Sequence, residues 1–323
     1  MKLPSFIFKK QKFGSKRIIQ IFGILRFSYT RRTRKSFVSF YEHRNNASEQ
    51  SQKDFLDKKL YTRCKYHIDF DNPKTFNEKI NWIKLYWQNP LITLYADKYK
   101  VRDVVTEKIG EKYLIPLLGV WDNPEDINFD QLPDQFAIKV NWGSGQNIIV
   151  QNKRLLDKSI ALPLLKEWIQ PESNLYWRNL EWGYKNIPPK IIIEQYVKAA
   201  GQICYKIMCF NGQPKVVQVV YNPKQSNSTV DFFDLHWERL PFKIRYPNNP
   251  NPCMQPSNFQ EMLEIARTFA KPFPFVRVDL YNIDGKVYFS ECTFYSDTGF
   301  APFEPSEWDL KLGEMLQLPE KHI

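Results

Sequence analysis

Residues 275–300 hold the clearest candidate for chemistry in the chain, F-V-R-V-D-L-Y-N-I-D-G-K-V-Y-F-S-E-C-T-F-Y-S-D-T-G-F. Arg277, Asp279 and Tyr281 alternate with apolar residues, a pattern that predicts a strand with these three side chains on one face. The dipeptide Asp284-Gly285 predicts a tight turn, and the residues after it predict a second strand. The stretch is therefore a predicted β-hairpin.

The register of this hairpin brings two acids together. With the turn centred on Gly285, Asp279 lies opposite Glu291. By the same register, Arg277 lies opposite Thr293. Two carboxylates repel each other across paired strands unless a cation lies between them, and Mg²⁺ prefers hard carboxylate oxygens. The pair predicts a divalent-metal site, and the alternative is a surface hairpin whose acids face water or lysines.

A glycine-containing loop between two short strands is the second candidate. The strands are predicted at 136–140, F-A-I-K-V, and at 148–150, I-I-V, and the loop is W-G-S-G-Q at 142–146. Glycine lets backbone N–H groups approach phosphate oxygens, and Lys139 stands just before the loop. The order differs from G-x-x-x-x-G-K-S/T, because the lysine precedes the glycines and a strand follows them. The alternative is an ordinary β-turn.

The rest of the chain predicts the elements that position these residues. Thr75 and Glu78 form a capping-box pattern, and apolar residues at helical spacing follow them. We expect a second helix to carry residues 97–102, D-K-Y-K-V-R. Further strands are predicted at 113–118, 191–197 and in a hairpin at 205–217, and further helices at 155–170 and 259–269.

The positive charge of the chain is concentrated at its start. The formal net charge is +11, residues 1–40 contain eleven Lys or Arg and no acid, and the remaining residues are neutral overall. The apolar run at 18–25 is far shorter than the ~20 residues that span a bilayer. Basic flanks around an apolar stripe are typical of a helix on an anionic membrane surface. The alternatives are a disordered tail or a helix docked on the core, and nucleic-acid binding is less favoured because no reading motif follows.

The cysteines indicate a reducing compartment. There are five, an odd number, and none forms a C-x-x-C pair. With only four scattered histidines, the chain has no zinc signature either. We therefore expect a cytoplasmic protein, with peripheral association at the inner face of the cell membrane left open.

Several strings, in this order along the chain, resemble the TupA-like ATP-grasp proteins of bacterial surface-polysaccharide clusters. They include F-N-E-K-I-N-W-I-K-L-Y, D-K-Y-K-V-R-D, L-E-W-G-Y-K-N-I-P-P-K-I-I-I-E and Y-K-I-M-C-F-N-G. The hairpin string R-V-D…S-E-C-T…T-G-F follows them. The resemblance runs from about residue 73 to about residue 313 and excludes the basic tail.

The resemblance implies an α+β, ATP-grasp fold in which two α+β subdomains with antiparallel sheets grip ATP, preceded by a helical N-terminal segment. It also implies Mg²⁺ bound with the ATP. The domains are then a basic tail with a short amphipathic segment at 1–50, a helical region at 51–115, a subdomain with a Gly-rich lid at 116–198, and a subdomain with the metal site at 199–323.

The resemblance also implies roles for individual residues. Nucleotide-binding roles fall on Lys98, Lys139, Gly143, Ser144, Gly145, Glu194, Gln195 and Val197. The two lysines would contact phosphates, the glycine loop would cover them, and the backbone of 194–197 would bind adenine. Catalytic roles fall on Arg277 and Lys206, and metal ligation falls on Asp279, Glu291 and Thr293. Many superfamily members have Asn where Thr293 stands.

The implied function is ATP-dependent ligation. A carboxylate, expected to be a uronic acid of a capsule, O-antigen or teichuronic-type glycan, would be activated as an acyl-phosphate and joined to an amino acid or amine. One alternative is a glycosyltransferase or sugar kinase of the same polysaccharide pathway. Another is a non-catalytic, membrane-associated scaffold that keeps nucleotide binding. The expected partners are ATP, the glycan acceptor, the amine and an anionic membrane surface that residues 1–40 would contact.

Overall fold

The structure, a computed structural model, describes two parts of the chain at different depth. Backbone and side chains are described for residues 47–197, 203–223 and 225–321. For the basic tail, only the backbone of three strands is described, at Phe8–Phe13 (β1), Lys16–Ile21 (β2) and Leu25–Thr30 (β3).

Among the described residues, four helices precede the first strand of the main body, in the helical N-terminal segment that the resemblance implies. They are Glu49–Cys64 (α1), Phe76–Tyr86 (α2), Pro90–Ala96 (α3) and Val101–Lys108 (α4). Four more follow at Lys158–Trp168 (α5), Leu175–Asn179 (α6), Phe259–Ala270 (α7) and Glu307–Glu314 (α8). Among the described residues, no helix is both long and apolar enough to cross a membrane.

Two antiparallel sheets form the main body. Sheet A has the strands Leu117–Trp121 (β4), Phe136–Val140 (β5), Asn147–Val150 (β6) and Ile191–Gln195 (β7), in the order β4-β7-β5-β6. Sheet B has Ile203–Phe210 (β8), Gln213–Tyr221 (β9), Thr229–Phe233 (β10), Phe275–Ile283 (β12) and Lys286–Thr293 (β13), in the order β10-β9-β8-β12-β13. The short strands Lys243–Ile244 (β11) and Phe303–Glu304 (β14) pair with each other.

This arrangement confirms the α+β class with antiparallel sheets. Sheet A comes from residues 117–195 and sheet B from residues 203–293. Helix α7 packs its apolar face on sheet B, where the ring of Phe269 stacks on that of Phe289 at 4.9 Å between centroids. The proposed domain boundaries at 50, 115 and 198 stay a prediction.

Helix α2 begins at the predicted capping box. The Thr75 hydroxyl accepts the backbone N–H of Glu78, and the Glu78 carboxylate accepts the backbone N–H of Thr75 at 2.8 Å. The same carboxylate also accepts from the N–H groups of Asp69 and Lys74, at 3.0 Å each. One buried acid therefore satisfies the helix start and the turn that leads into it.

The prediction of a helix over residues 97–102 is wrong for its first half. Residues 97–100 form a turn between α3 and α4, because the Asp97 side chain accepts the backbone N–H groups of Tyr99 and Lys100. An Asp that bonds the backbone two and three residues on competes with helical hydrogen bonding. Lys98 consequently lies on this turn and not on a helix.

Two other elements differ from the sequence prediction. The strand expected at 113–118 begins only at Leu117, because Glu111–Tyr113 forms a single 3-10 turn after Gly110. In the basic tail, the expected amphipathic helix at 18–25 is wrong where the backbone is described. Strands β2 and β3 occupy that region and pair antiparallel, which fits its β-branched isoleucines. Residues 22–24 lie outside the described residues.

Replacing Glu78 with Ala tests the capping network. We expect Glu78→Ala to lower the free energy of unfolding by about 2 kcal/mol or more, because three backbone N–H groups lose their acceptor. Urea unfolding followed by circular dichroism measures the change. Glu107→Ala, on the exposed face of α4, is the control and should stay within about 0.5 kcal/mol of the wild type. Equal stability of the two variants would contradict the network.

Candidate active site between the two sheets

The predicted hairpin and its register are present. Strands β12 and β13 pair Arg277 with Thr293 and Asp279 with Glu291, and a bulge follows directly after Asp279. The turn residues Asp284 and Gly285 have φ of 51° and 77°, the positive values that this two-residue turn requires. The two carboxylates therefore lie side by side on one face of sheet B.

Asp279 is the most buried acid of this group, at 1% exposure. Arg277 binds it in a bidentate manner, with Nε 2.7 Å from Oδ1 and Nη2 2.9 Å from Oδ2. Lys206, which is its register partner on β8, forms an ion pair with Oδ2. Two cations thus neutralise one buried carboxylate, and each predicted catalytic residue contacts it.

The guanidinium of Arg277 is held on every side. Its Nη1 donates to the Ser296 hydroxyl at 3.1 Å, and its Nη2 also donates to the Thr293 hydroxyl at 3.2 Å. Burial would lower the pKa of Arg277, but the Asp279 carboxylate outweighs burial and raises it above the ordinary value. The arginine is therefore a fixed, buried positive charge next to Asp279.

Lys98 connects the hairpin to the glycine loop. Its Nζ lies 2.8 Å from Oε2 of Glu291 and donates to the carbonyl of Gly143 at 2.9 Å. Burial opposes ionisation of Glu291, but Lys98 and Lys206 together hold the pKa of Glu291 well below its usual range. The second carboxylate of the hairpin is therefore ionised and already paired with a lysine.

The glycine loop has the conformation that its sequence requires. Gly145 has a φ of +75°, and a Cβ on Gly143 would lie 2.8 Å from Cγ2 of Val140. Gly143 is buried, whereas Ser144 and Gly145 are exposed at the tip. The loop thus has a fixed base, bonded to Lys98, and an open tip.

A second charge group lies on sheet A. Glu194, at 7% exposure, forms ion pairs with Lys139 through Oε2 and with Nη1 of Arg102 at 2.9 Å through Oε1. Burial would lower the pKa of Lys139, but Glu194 outweighs burial and raises it. The side chain of Glu194 is therefore the counter-ion of Lys139 and Arg102. The sequence prediction concerned only the backbone of Glu194.

The predicted hinge lines a cleft of about 1290 Å³. Gln195 and Val197 face it together with Arg102, and the tip of the β12–β13 hairpin closes the other side at Tyr288. The backbone N–H of Gln195 donates to the carbonyl of Pro116 at 2.9 Å, so that donor is occupied.

Sequence reasoning missed three residues of this site. Arg102 completes the Glu194 pair, Ser296 holds Arg277, and Asp297 lies beside them. Strand pairing could have located part of this group, because side chains at diagonal positions of adjacent strands share a face. Lys139 pairs with Ile192 and so lies diagonal to Glu194.

The charges of the site suit a polyanion. Five cations and three carboxylates are paired here, which leaves two positive charges in excess: Lys98, Arg102, Lys139, Lys206 and Arg277, against Glu194, Asp279 and Glu291. A ligand with several negative oxygens can replace the carboxylates as partner of the lysines.

The hairpin offers a partial metal site. In the part of the chain described with side chains, no cluster of three or more His, Cys, Asp or Glu side chains could hold a metal ion. Asp279 and Glu291 supply two adjacent carboxylates, while the Thr293 hydroxyl already accepts from Arg277. This set fits Mg²⁺, which takes one or two carboxylates and completes its shell with water and ligand phosphates.

The sequence of the chain matches one protein-family model. A family model described as TupA-like ATPgrasp matches residues 78–317. No protein of curated function matches the chain significantly.

Solved structures also match, at low identity. A D-alanine–D-alanine ligase from Bacillus anthracis, complexed with ATP, is 16% identical over 67% of this chain and 57% of that one, with a TM-score of 0.38. An L-amino acid ligase from Bacillus licheniformis is 12% identical over 85% of this chain and 64% of that one, with a TM-score of 0.44. The matched part thus spans less than two thirds of either protein.

Removing the charge of Glu194 tests the paired state of the site. We expect Glu194→Gln to lower the free energy of unfolding by about 2 kcal/mol, because Arg102 and Lys139 keep their charges and lose a buried counter-ion. Glu125→Gln, which breaks the exposed pair with Lys166, should change the free energy of unfolding far less, because water screens that pair. Denaturant titration of both variants measures the difference, and equal effects would show that the Glu194 pairs are solvated.

Proposed function

Because the chain belongs to the TupA-like ATP-grasp family, we propose that it is an ATP-dependent, ADP-forming carboxylate–amine ligase. The observation that carries the proposal is that three lysines of the site are each paired with a carboxylate. Lys139 pairs with Glu194, Lys206 with Asp279 and Lys98 with Glu291. Such lysines can exchange a carboxylate partner for a phosphate oxygen when nucleotide binds.

In this proposal the nucleotide is bound by residues of sheet A and by Lys98 on the turn between α3 and α4. Lys139 and Lys98 contact its phosphates, and Gly143 to Gly145 close over them. The cleft at Gln195 and Val197 takes the adenine. Arg102 keeps Glu194 paired after Lys139 turns to a phosphate, because it binds the other carboxylate oxygen. Nucleotide binding then leaves no buried carboxylate without a partner.

The hairpin of sheet B holds Mg²⁺ in this proposal. Asp279 and Glu291 are the ligands, and Thr293 is a weaker third. When bound, the ion neutralises phosphate charge and orients the transferred phosphoryl group. With Mg²⁺ as counter-ion of the two carboxylates, Lys206 and Lys98 would be available to contact phosphate oxygens.

The chemistry needs no protein nucleophile. An oxygen of the substrate carboxylate attacks the γ-phosphorus, the bond to the ADP oxygen breaks, and an acyl-phosphate forms. The amine nitrogen then attacks the acyl carbon, the carbon–oxygen bond to phosphate breaks, and the nitrogen loses a proton. Arg277 stabilises the negative oxygen that develops on the acyl carbon.

The cysteines agree with this scheme. Burial raises the pKa of Cys204 to about 12 and that of Cys292 well above its ordinary value. Both thiols therefore stay protonated at neutral pH and are poor nucleophiles. Positioning and charge are what the site supplies, as phosphoryl transfer requires.

The substrate class rests on the resemblance to proteins of bacterial surface-polysaccharide clusters. We propose a uronic acid of a capsule, O-antigen or teichuronic-type glycan as the carboxylate and an amino acid or amine as the nucleophile. A cytoplasmic enzyme at the inner face of the membrane would meet a lipid-linked glycan there. The basic residues 1–40 would supply the surface contact.

An ADP-release assay tests the proposal. With Mg²⁺, ATP, glucuronate or galacturonate and a panel of amino acids, we expect ADP formation that needs both the acid and the amine. Glu291→Gln should reduce the rate by about two orders of magnitude or more, and Glu320→Gln at the exposed C-terminal end should not. ADP release without amine would indicate a sugar kinase. Consumption of a sugar nucleotide without ATP would indicate a glycosyltransferase. If neither ATP nor a sugar nucleotide is consumed, a nucleotide-binding scaffold is the remaining alternative.

Replacing Lys139 with Met tests nucleotide binding separately. We expect Lys139→Met to weaken binding of a non-hydrolysable ATP analogue by about tenfold or more, because a charged hydrogen bond to phosphate is lost. Lys158→Met, on the exposed side of α5, should bind like the wild type. Calorimetric titration in Mg²⁺ measures both, and equal affinities would remove Lys139 from the phosphate site.

A further inference from the structure

The segment that follows the β12–β13 hairpin, residues 297–299, is held in an unfavourable backbone conformation. Asp297, Thr298 and Gly299 have φ of 45°, 61° and 63° in succession. A left-handed conformation is rare for a β-branched residue such as Thr298 and costs on the order of 1–2 kcal/mol. Such strain persists where the surrounding structure enforces it, and it is concentrated at binding and active sites.

The buried polar face of helix α2 enforces this conformation. The Asn81 amide donates to the carbonyl of Gly299 at 2.6 Å, and the Lys84 ammonium donates to the carbonyl of Thr298 at 2.7 Å. Lys84 is 2% exposed and lies 4.2 Å from the centroid of the Phe300 ring. A Cβ on Gly299 would lie 2.8 Å from Cγ2 of Ile80, so only glycine fits there. The segment is thus fixed against a rigid helix.

The residue before this fixed segment contacts the predicted catalytic arginine. Ser296 accepts a hydrogen bond from Arg277, and the next residue is Asp297. After Asp279, the charge of Asp297 is among the causes that raise the pKa of Arg277, so the two charges interact. Asp297 is half-buried.

Asp297 differs from the other acids of the site in its pairing. Glu194, Asp279 and Glu291 each form an ion pair with a lysine or arginine. Within the part of the chain described with side chains, the Asp297 carboxylate forms neither an ion pair nor a hydrogen bond. A carboxylate on a fixed backbone, next to the residue that holds Arg277 and without an ion pair of its own, is complementary to a cation from outside the protein.

We propose that Asp297 binds the ammonium group of the amine substrate and sets the specificity for it. The proposal rests on the ligase function above. The bound ammonium gives one proton to the Asp297 carboxylate, and the neutral amine then attacks the acyl carbon beside Arg277. Asn81 and Lys84 are positioning residues, because they fix the backbone that carries Asp297. A carboxylate in this place favours amines that are cationic at neutral pH over uncharged nucleophiles.

Binding of amines to the full chain tests the proposal without turnover. The protein is saturated with Mg²⁺ and a non-hydrolysable ATP analogue, and ethanolamine and the proteinogenic amino acids are the probes. Saturation-transfer NMR and calorimetry measure binding. We expect Asp297→Asn to weaken the bound amines about tenfold or more, the value of a charged hydrogen bond. Asparagine keeps the left-handed backbone, since it tolerates that region nearly as well as aspartate.

Asp71→Asn is the matched control, because Asp71 is exposed and the change removes the same charge. It should bind the amines like the wild type. Urea unfolding checks that both variants keep wild-type stability. Equal amine binding by Asp297→Asn, or no binding of any probe by the wild type, would overturn the proposal. Amine binding that depends on Asp297 without any ADP release would support the amine site and count against the ligase function alone.

Hydroxylamine adds a turnover arm. It is largely uncharged near pH 7.5 and traps acyl-phosphates as hydroxamates, so it needs no ammonium site. We expect Asp297→Asn to raise the KM for the cationic amine about tenfold or more while hydroxamate formation stays within about twofold of the wild type. An equal loss with both nucleophiles would show that Asp297 acts on the fold or on acyl-phosphate formation, and would overturn the proposed amine contact.

Discussion

The buried carboxylate of Asp279 is the constraint on which the rest of the site depends. An ionised acid at this depth is costly unless charged partners surround it. Arg277 comes from its own strand and Lys206 from the neighbouring strand, so the acid is satisfied only when β8 and β12 pair in this register. A shift by one residue would move Lys206 to the opposite face and leave Asp279 without its second cation. The chemistry of the site and the register of sheet B are therefore one requirement.

The same pairing would also prepare the site for the nucleotide that we propose. Paired lysines avoid mutual repulsion in the free protein, and their partners Glu194, Asp279 and Glu291 hold them in place. An incoming phosphate competes with a carboxylate for a lysine already in place, so little side-chain entropy is lost on binding. A metal ion on Asp279 and Glu291 would favour this exchange, because it replaces the lysines as their counter-ion.

The sequence predicted what local rules determine. The pairing of Asp279 with Glu291 follows from strand alternation and the Asp284-Gly285 turn, and the start of α2 follows from Thr75 and Glu78. The position of Lys98 was wrong because an Asp side chain competes with the helix through its own hydrogen bonds. The three left-handed residues after β13 were not predictable. The bond that holds Thr298 comes from Lys84, and no local pattern encodes a contact across 214 positions.

Helix α2 buries polar residues that its apolar pattern did not predict. Its apolar residues predicted the buried face, yet Asn81 and Lys84 are buried as well. Burying an amide and an ammonium is unfavourable unless their hydrogen bonds are satisfied, and here the acceptors are carbonyls of a strained segment. Burial lowers the pKa of Lys84 to about 7, against the opposing charge of Glu181, so its protonated form is destabilised in the fold. Leucines at these two positions would make the helix more stable. Asn81 and Lys84 instead fix the backbone next to Asp297. Through these bonds the helical N-terminal region supports the proposed active site.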